Sequence, residues 1–584
     1  MLGGSAAALL TSRSGLPGTL PTDEPGPAVF KDVTAEAGLS QARNVSGSPD
    51  NKQFLLEEMG CGVAFFDYDN DGWLDIFLVN GSSLDPTVRD GNPTSYLFQN
   101  NRDGTFTDVT EKAGLTRSGW GQACCVGDYD NDGFDDLFVT YWGQHNVLYR
   151  NNGDGTFTDV SESAGVAGSE DRWGAACCFL DYDRDGHLDL FVANYVNFDP
   201  ARAPRPGDSD YCRYNHIPVP CGPQGYAGGT NILYRNRGDG TFVDVSEESR
   251  IAHPRGPSSM VFVSANWQPT GSYGMGAAVA DFDNDGWPDI YVASDSAPSL
   301  LYRNNHDGTF REIAVPAGCA FDGNGGTQGA MGVGVADYDA DGWLDMVVTN
   351  FSDEVSILYR NYGGAFEDAS LRGGLGANRK YVGFGVGFFD SDNDGWTDIF
   401  MANGHVYTQL ADRNLHVKYR EPKLLYRNLG NGRFEDVSLK SGAAIVAENV
   451  GRGCAFGDFD NDGDVDVVVS NLDGPPTLLR NEGGTGNHSI LIKCVGTRSN
   501  RSAIGARVRV TCGEHSQTDE VMSGSSYYSQ NDLRLHFGLG RAATADAVEV
   551  AWPSGLKETF EDLPADHLFV IREAKGIVSR RRFG

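Results

Sequence analysis

Seven copies of one nine-residue acidic pattern, DxDxDGxxD, run through the 584-residue chain. Most copies lie 53 to 68 residues apart, and 100 residues separate the third from the fourth. Self-similarity at a nearly constant interval is the signature of a repeat fold, so the pattern predicts seven copies of one structural unit. The copies begin at Asp67, Asp128, Asp181, Asp281, Asp337, Asp390 and Asp458.

Two shorter motifs recur at the same interval. An FxDV-type segment comes before each acidic copy, and an LYRN-type segment comes after it. Three markers in one register indicate that the repeat spans most of the chain. The FxDV-type segments are Phe30–Val33, Phe106–Val109, Phe157–Val160, Phe242–Val245, Phe310–Ile313, Phe366–Ala369 and Phe434–Val437. The LYRN-type segments begin at Leu97, Leu148, Leu233, Leu301, Leu358, Leu425 and Leu478.

Each repeat has the pattern of a short antiparallel sheet. In the first repeat, small and apolar residues at Gly62–Phe66 precede the acidic copy, and an apolar run at Ile76–Val79 follows it. No amphipathic helix pattern of useful length is present. Repeats of this length with about four strands are typical of propeller blades, and seven of them suit ring closure. We therefore predict an all-β fold, a seven-bladed β-propeller, with an open solenoid as the alternative.

The acidic copies have the spacing of a calcium loop. Carboxylates at positions 1, 3, 5 and 9 and the carbonyl of position 7 can surround one hard cation, and glycine at position 6 allows the sharp bend. An EF-hand loop needs a glutamate at position 12, whereas Leu78 and Val139 stand there, so EF-hands are excluded. The predicted ligands are Asp67, Asp69, Asp71, Trp73, Asp75, Asp128, Asp130, Asp132, Phe134, Asp136, Asp181, Asp183, Asp185, His187, Asp189, Asp281, Asp283, Asp285, Trp287, Asp289, Asp337, Asp339, Asp341, Trp343, Asp345, Asp390, Asp392, Asp394, Trp396, Asp398, Asp458, Asp460, Asp462, Asp464 and Asp466.

The alternative is that these aspartates only build turns, which Asp and Gly favour. Three or four carboxylates crowded together without a cation would repel one another strongly, and this favours the metal-binding interpretation. A cage made of protein oxygens suits calcium better than magnesium. We therefore expect about seven Ca²⁺ ions, which would offset part of the formal net charge of −34.

These loops between strands resemble the FG-GAP/VCBS repeats of integrin-type propellers. The segment from about Asn487 to Glu573 resembles the ASPIC/UnbV domain, and the whole arrangement is similar to bacterial relatives of cartilage acidic protein. The resemblance implies an extracellular calcium-binding adhesion or interaction protein. Because UnbV-type members are also associated with natural-product gene clusters, it leaves an enzyme as the alternative. The ASPIC/UnbV resemblance rests on Ile504–Val508, Ser523–Gln530, His536–Gly540 and Trp552–Gly555.

Composition divides the chain into four parts. The glycine-rich linker Asn481–Asn487 separates the repeats from a C-terminal stretch that has strand patterns and no acidic loop. We expect this stretch to be a small β-sandwich-like domain that packs against or caps the repeats, or that binds a ligand or partner around Tyr527 and Tyr528. The predicted parts are a flexible segment 1–28, the propeller 29–482, the ASPIC/UnbV-like domain 487–575 and a basic tail 576–584.

The long third interval holds two insertions, at residues 197–230 and 251–272. Long insertions on a rigid scaffold tend to carry function, and the first can cover a propeller mouth. Cys212 and Cys221 predict a disulfide if the protein is exported, and no second histidine or CxxC pair favours a metal site there. The candidate residues for a pocket at this mouth are His216, His405 and Tyr407, and a structural role is the alternative for each.

Charge and hydropathy exclude two classes of function. A net charge of −34 offers no basic footprint for nucleic acid, and the longest apolar runs are too short for a transmembrane segment. Two hypotheses remain. One is a calcium-stabilised adhesion module for a protein or glycan ligand. The other is a calcium-dependent biosynthetic enzyme, of tailoring or cyclase type, that holds a small-molecule substrate at the channel mouth. Calcium sites are easier to keep filled outside the cytoplasm, so we expect an extracytoplasmic or secreted protein, with a cytoplasmic one as the alternative.

Overall fold

The repeated part of the protein is built from seven antiparallel sheets. The computed structural model describes residues 27–84, 93–252, 271–411, 413 and 416–584. Within these residues each repeat forms a four-stranded sheet, and a two-residue strand, Gln328–Gly329, adds to the fourth sheet. We number the sheets blade 1 to blade 7 in the order of their acidic loops. The predicted all-β propeller is confirmed.

Every blade has the same order of strands from the axis of the ring to its rim. The innermost strand precedes the acidic loop and is Val63–Phe66, Trp120–Gly127, Gly174–Leu180, Gly274–Ala280, Val333–Ala336, Gly383–Phe389 or Gly451–Gly457. The second strand follows the loop and is Asp75–Leu78, Asp136–Trp142, Asp189–Asn194, Asp289–Ala297, Asp345–Val348, Asp398–Asn403 or Asp466–Asn471. The third strand contains the LYRN-type motif and is Tyr96–Asn100, Val147–Asn151, Ile232–Asn236, Leu300–Asn304, Ile357–Asn361, Leu424–Asn428 or Thr477–Asn481. The outermost strand is Phe106–Asp108, Phe157–Asp159, Phe242–Asp244, Phe310–Glu312, Phe366–Asp368, Phe434–Asp436 or, for blade 7, Phe30–Asp32.

The blades close into a ring, because each innermost strand contacts the innermost strands of both neighbouring blades. Blade 7 meets blade 1 in this way through Gly451–Gly457 and Val63–Phe66. Its outermost strand comes from the start of the described chain, where Phe30–Asp32 pairs antiparallel with Thr477–Asn481. Each FxDV-type segment therefore completes the blade before it along the chain, and the first of them completes the last blade.

Apolar side chains fill the space between neighbouring blades. The innermost and second strands are buried on both faces, as in Gly451–Gly457 and Asp466–Asn471. Between blades 6 and 7, the Phe456 ring lies 5.2 Å from that of Phe389, centroid to centroid. A Cβ at Gly387 would lie 2.2 Å from the Phe456 ring, so glycine is required for this close approach. Burial of each large apolar side chain contributes about 1.5–3 kcal/mol, which makes these contacts the main stabilisation of the ring.

The helices of the described ranges are short, of three to six residues each, and connect strands. None of them is long and apolar enough to cross a membrane. The α-helical turns are Leu56–Met59, Thr110–Ala113, Ser161–Ala164, Ala314–Ala317, Ser370–Gly373 and Ala443–Val446. The 3-10 turns are Leu39–Gln41, Asp210–Cys212, Pro223–Gly225, Leu375–Lys380 and Thr408–Leu410.

The C-terminal domain consists of two four-stranded sheets. One sheet has the strand order Leu535–Gly540, His488–Val495, His567–Arg572 and Gly576–Arg582. The other has the order His515–Glu520, Arg507–Cys512, Thr544–Ala551 and Lys557–Pro564. Residues 576–584 differ from the basic tail predicted from the sequence, since Gly576–Arg582 is an edge strand of the first sheet. Arginine-rich edge strands are common, because charged side chains protect an edge from further pairing.

One loop of the C-terminal domain, residues 521–534, enters the centre of the ring, and we call it the central loop. Ser526 exchanges backbone hydrogen bonds of 2.8 and 3.0 Å with Val333 of blade 5, and Cys124 of blade 2 donates one of 3.0 Å to the Tyr528 carbonyl. The rings of Tyr527 and Tyr528 stack 3.9 Å apart, and both residues are buried. The prediction of a ligand surface around these tyrosines is therefore wrong, because the rings face protein on all sides.

The first insertion lies on the opposite face of the ring from the C-terminal domain. It follows the second strand of blade 3 and crosses the ring axis, so that the Tyr214 hydroxyl lies 3.2 Å from that of Ser352 in blade 5. The predicted disulfide Cys212–Cys221 is present. The second predicted insertion, 251–272, falls largely on residues 253–270, outside the described residues.

Candidate metal centres

Each acidic loop folds around the carboxylate at position 1. In blade 2, Asp128 Oδ1 accepts a hydrogen bond of 3.0 Å from the Asp132 backbone, and Asp128 Oδ2 accepts one of 2.7 Å from the Gly133 backbone. The same two bonds recur in all seven loops. Position 6 glycine adopts φ between 86° and 101°, which other residues rarely do. The sequence pattern therefore dictates a tight turn with its carboxylates gathered on one side.

The carboxylate at position 9 connects the loop to the strands of its own blade. Asp136 Oδ2 accepts a bond of 3.1 Å from the Tyr129 backbone, and Asp136 Oδ1 accepts one of 2.7 Å from the Asn151 backbone. The bond from the third-strand asparagine is present in all seven blades. This carboxylate is therefore anchored by protein donors and held close to position 1.

Three carboxylate oxygens lie within 4.8 Å of one another in each of at least five loops. In blades 1 and 4 these oxygens belong to positions 1, 3 and 5, and in blades 2, 3 and 5 to positions 1, 3 and 9. Several Asp-rich groups of this fold can thus hold a metal ion. The groups are Asp67–Asp69–Asp71, Asp128–Asp130–Asp136, Asp181–Asp183–Asp189, Asp281–Asp283–Asp285 and Asp337–Asp339–Asp345.

The carboxylate at position 3 carries the clearest sign of a missing partner. Its Oδ1 is buried and has no hydrogen-bond partner among the described residues in blades 3 to 7, at Asp183, Asp283, Asp339, Asp392 and Asp460. A buried oxygen without a partner is costly, and the same oxygen at the same position in five repeats points to one common ligand. An all-oxygen donor set of carboxylates fits a hard divalent cation.

The arginine of the LYRN-type motif contacts position 3 from the side. Arg427 Nε lies 2.8 Å from Asp392 Oδ2, and Arg360 Nε lies 2.5 Å from Asp339 Oδ2. In blade 1 the motif has Gln99 instead, whose amide donates a bond of 2.7 Å to Asp69 Oδ2. These contacts lie on the Oδ2 side of each carboxylate, so Oδ1 remains available for a cation.

Burial alone works against ionised carboxylates in these loops. Burial, together with the nearby Asp135 and Asp132 carboxylates, raises the pKa of Asp128 to about 8. Burial likewise raises the pKa of Asp181 and of Asp337 to about 7 and that of Asp67 to about 6. A bound divalent cation reverses this by favouring the ionised form, so the geometry suits a cation that compensates the charge.

Seven asparagines connect the acidic loops around the ring, and the sequence analysis did not identify them as functional residues. Each is the last residue of the LYRN-type motif, and its side-chain Nδ2 donates to the position-2 carbonyl of the preceding blade. Asn151 Nδ2 lies 2.7 Å from the Tyr68 carbonyl, for example. Their constant position at the end of each LYRN-type motif is the sequence signal that could have identified them. The others are Asn100, Asn236, Asn304, Asn361, Asn428 and Asn481.

At the opposite mouth, the structure brings together two of the three predicted pocket residues. The His405 ring lies 5.2 Å from Tyr407 and 5.4 Å from Tyr214, centroid to centroid. His405 is fully buried, burial together with Arg452 lowers its pKa to about 3, and its Nε2 has no partner among the described residues. His216 does not join them. Asn215 and His216 both have positive φ and form the exposed tip of a two-residue hairpin turn, so Tyr214 takes its place.

Comparisons with known families match both parts of the chain. The model of the FG-GAP-like repeat matches residues 67–139, 128–192, 224–292, 281–348, 337–401 and 419–469, which together exceed half of the chain. The model described as ASPIC and UnbV matches residues 496–578.

Individual relatives are more distant. Cartilage acidic protein 1 of Homo sapiens is 26% identical over 537 residues, covering 85% of this chain and 69% of the human protein. The Xenopus tropicalis protein of the same name is 24% identical over 526 residues, covering 85% of this chain and 71% of its own. Among solved structures, the BP39L lectin from Burkholderia pseudomallei has a TM-score of 0.40 at 10% identity, covering 73% of this chain and 97% of the lectin.

Proposed function

Because the chain belongs to the FG-GAP-like repeat family and carries an ASPIC and UnbV domain, we propose that it is a calcium-loaded propeller that acts as a binding module for a protein or glycan. In this proposal each loop holds one Ca²⁺, about seven in all, through the carboxylates of positions 1, 3, 5 and 9 and the carbonyl of position 7. The cation supplies positive charge that ties the innermost and second strands of a blade together.

One observation carries the proposal: in blades 3 to 7 the Oδ1 of position 3 is buried and has no hydrogen-bond partner in the part of the chain that the structure describes. A loop that only formed a turn would need no such oxygen, since the turn is already made by position 1 and by glycine. Calcium suits the site better than magnesium because magnesium usually keeps several of its waters, while these loops offer many protein oxygens.

The same proposal places the protein outside the cytoplasm. Calcium is abundant there, and the disulfide Cys212–Cys221 persists in oxidising surroundings. The name of the similar human protein refers to cartilage. With its channel filled by the central loop, the protein offers its rim and its insertion-bearing mouth as contact surfaces for a large ligand.

Calcium removal tests the proposal. We expect a chelator to lower the melting temperature by about 10 °C or more, because a ligand bound only to the folded state stabilises it. Asp183→Asn should reduce the number of bound Ca²⁺ ions by one in a calorimetric titration. Asp239→Asn is the matched control, since Asp239 is an exposed residue of the same blade outside the loop. An unchanged melt with chelator, or no difference between the two variants, would contradict structural calcium.

A second candidate, an enzyme with its pocket at the insertion-bearing mouth, is favoured by one observation. His405 Nε2 and Glu58 Oε1 are both buried there without partners among the described residues. Arg452 Nη2 donates to the backbone carbonyls of Glu58 and His405, at 2.7 and 3.5 Å, so the two residues lie beside one guanidinium. Incubating the calcium-loaded protein with a metabolite mixture and following it by mass spectrometry tests this candidate. A compound consumed by the wild type but not by a folded His405→Ala variant supports it, whereas an unchanged mixture speaks against it.

A further inference from the structure

The acidic loops present a second set of groups on the side away from their carboxylates. Position 4 adopts a left-handed conformation, with φ between 54° and 61°, and its side chain points out of the turn in every contact described below. The carbonyl of position 6 also accepts bonds from outside its own loop. Both groups lie on the face of the ring that the C-terminal domain covers.

Position 4 links successive loops to one another. Asn70 Nδ2 of loop 1 donates a hydrogen bond of 2.8 Å to the Gly133 carbonyl at position 6 of loop 2. Equivalent bonds of 3.0, 3.1, 3.5 and 3.2 Å run from Asn131 to Gly186, Asn284 to Gly342, Asn393 to Gly463 and Asn461 to Gly72. Five of the seven steps around the ring are thus closed by an asparagine, and two are not, because position 4 is Arg184 in loop 3 and Ala340 in loop 5.

The C-terminal domain binds these same outward groups. Arg581 Nη2 donates a bond of 3.0 Å to the Gly72 carbonyl and one of 2.7 Å to Asn461 Oδ1, so it contacts loops 1 and 7 together. Arg507 contacts loops 4 and 5 together, through Asn284 Oδ1 and, at 2.7 Å, the Gly342 carbonyl. The backbone N–H of Arg501 donates a bond of 2.7 Å to Asn131 Oδ1, and Ser489 Oγ one of 2.7 Å to the Gly463 carbonyl.

The C-terminal domain also contacts the two junctions between neighbouring loops at which position 4 is not an asparagine. Ala340 cannot donate to the Gly395 carbonyl of loop 6, and His515 Nε2 of the domain donates to it instead, at 2.7 Å. Arg184 of loop 3 donates a bond of 2.8 Å to the Pro553 carbonyl of the domain and lies 5.2 Å from the Trp287 ring of loop 4. The domain therefore contacts the ring of loops as one surface.

The outward groups alternate with the carboxylates along the turn. Position 4 lies between positions 3 and 5, and position 6 lies between positions 5 and 7, so a cation that holds these ligands also fixes the outward groups. Without it, carboxylate oxygens within 4.8 Å of one another repel and drive the turn open. Hydrogen bonds weaken steeply with distance and angle, so the contacts of the C-terminal domain depend on the closed turn.

We propose that the loop face is a cation-dependent binding surface for the C-terminal domain, so that calcium binding and domain docking strengthen each other. This inference rests on the calcium binding proposed above. Coupling of two binding equilibria is reciprocal. If calcium binding strengthens the docking of the domain, the docked domain must raise the calcium affinity of the loops, although the domain does not touch the ions.

Two arginines test the coupling with matched controls. Arg507→Ala and Arg581→Ala should each weaken calcium binding about fivefold or more in a calorimetric titration, the lower end of ordinary coupling energies. Arg509→Ala and Arg580→Ala are the controls, because these exposed arginines lie on the same strands and contact Glu549 and His567 of the domain itself. Equal affinities in variants and controls, with calcium binding intact in the wild type, would overturn the coupling while leaving the proposed function standing.

Hydrogen exchange measures the coupling in the opposite direction, as the effect of calcium removal on the docking of the C-terminal domain. The backbone N–H groups of Arg501 and Gly540 donate to Asn131 and Asn393 of the loops, at 2.7 and 2.8 Å. Chelation should speed their exchange at least tenfold, while Thr544–Ala551, a central strand of the domain, keeps its protection. Unchanged exchange at Arg501 and Gly540 after verified calcium removal would rule out the coupling. Failure of the wild type to bind calcium at all would instead reject the proposed function.

Discussion

Glu573 shows how a single buried carboxylate can hold a loop of the C-terminal domain. Its Oε2 accepts backbone hydrogen bonds of 2.8, 2.7 and 2.9 Å from Thr497, Arg498 and Ser499, and its Oε1 accepts one from the Ser554 hydroxyl. Burial favours the neutral acid, but these bonds outweigh it and lower the pKa of Glu573 to about 2.

The sign of this shift predicts a pH dependence. The carboxylate stabilises the fold above the ordinary glutamate pKa of 4.5, and the stabilisation disappears as the pH falls from there to about 2. We expect Glu573→Gln to lower the free energy of unfolding by roughly 3 kcal/mol at pH 7 and by much less at pH 3. Urea denaturation at both pH values measures this, with the exposed Glu561→Gln as control. An equal loss at both pH values would show that the charge is not what holds the loop.

At the level of single residues, the sequence predicts loop chemistry well and pockets poorly. The loop aspartates can be recognised from the sequence because seven copies of the motif show which positions always carry the same residue and which positions vary. His216 lies in a segment that is not repeated. Its location depends on a turn in which Asn215 and His216 both have positive φ, so that Tyr214, rather than His216, lies beside His405. A disulfide between Cys212 and Cys221 was predictable because so short a separation leaves few partners.

Between elements, the third-strand asparagine is the main polar link from blade to blade. Asn151 is buried, and its Nδ2 donates to the Tyr68 carbonyl of blade 1 at 2.7 Å and to the Asp135 carbonyl of its own blade at 3.1 Å. The bond to the Tyr68 carbonyl is buried, and the bond to the Asp135 carbonyl is partly buried. The motif thus joins each acidic loop to the loop before it.

Removal of this asparagine should be costly. We expect Asn151→Ala to lower the free energy of unfolding by about 3 kcal/mol, because the buried Tyr68 carbonyl and the partly buried Asp135 carbonyl lose their donor. Asn152→Ala should cost less than about 1 kcal/mol, since Asn152 is exposed and bonds only within its own hairpin. Guanidinium denaturation in saturating calcium compares the two. Similar losses for the neighbours would argue against an inter-blade role.

The assignment of elements to blades was only partly predictable. The spacing placed FxDV-type segments before each acidic loop, yet Phe106–Asp108 pairs with the third strand of blade 1, which precedes it. Adjacency in sequence cannot distinguish the two arrangements, because both give the same period. The pairing of Phe30–Asp32 with Thr477–Asn481 follows the same arrangement and completes the last blade with the first of these strands.

At the scale of the whole molecule, the docking of the two domains lay beyond sequence reasoning. Strand patterns indicate a separate C-terminal β-domain, but the contacts of Ser526 with blade 5 and of Tyr528 with blade 2 join residues far apart in the chain. Nothing in the central loop's composition marks it as an interior segment. Its serines and its one glycine suit a narrow channel only once the seven-membered ring is known: a Cβ at Gly524 would lie 2.2 Å from the Cys177 carbonyl oxygen of blade 3.

The shared seventh sheet has a consequence for biosynthesis. Its rim strand, Phe30–Asp32, leaves the ribosome hundreds of residues before its partner Thr477–Asn481. Until Thr477–Asn481 is made, Phe30–Asp32 has no partner strand, and the last blade lacks its two outer strands. The central loop, residues 521–534, is synthesised later still, so the channel can be filled only after all strands of the ring have been made.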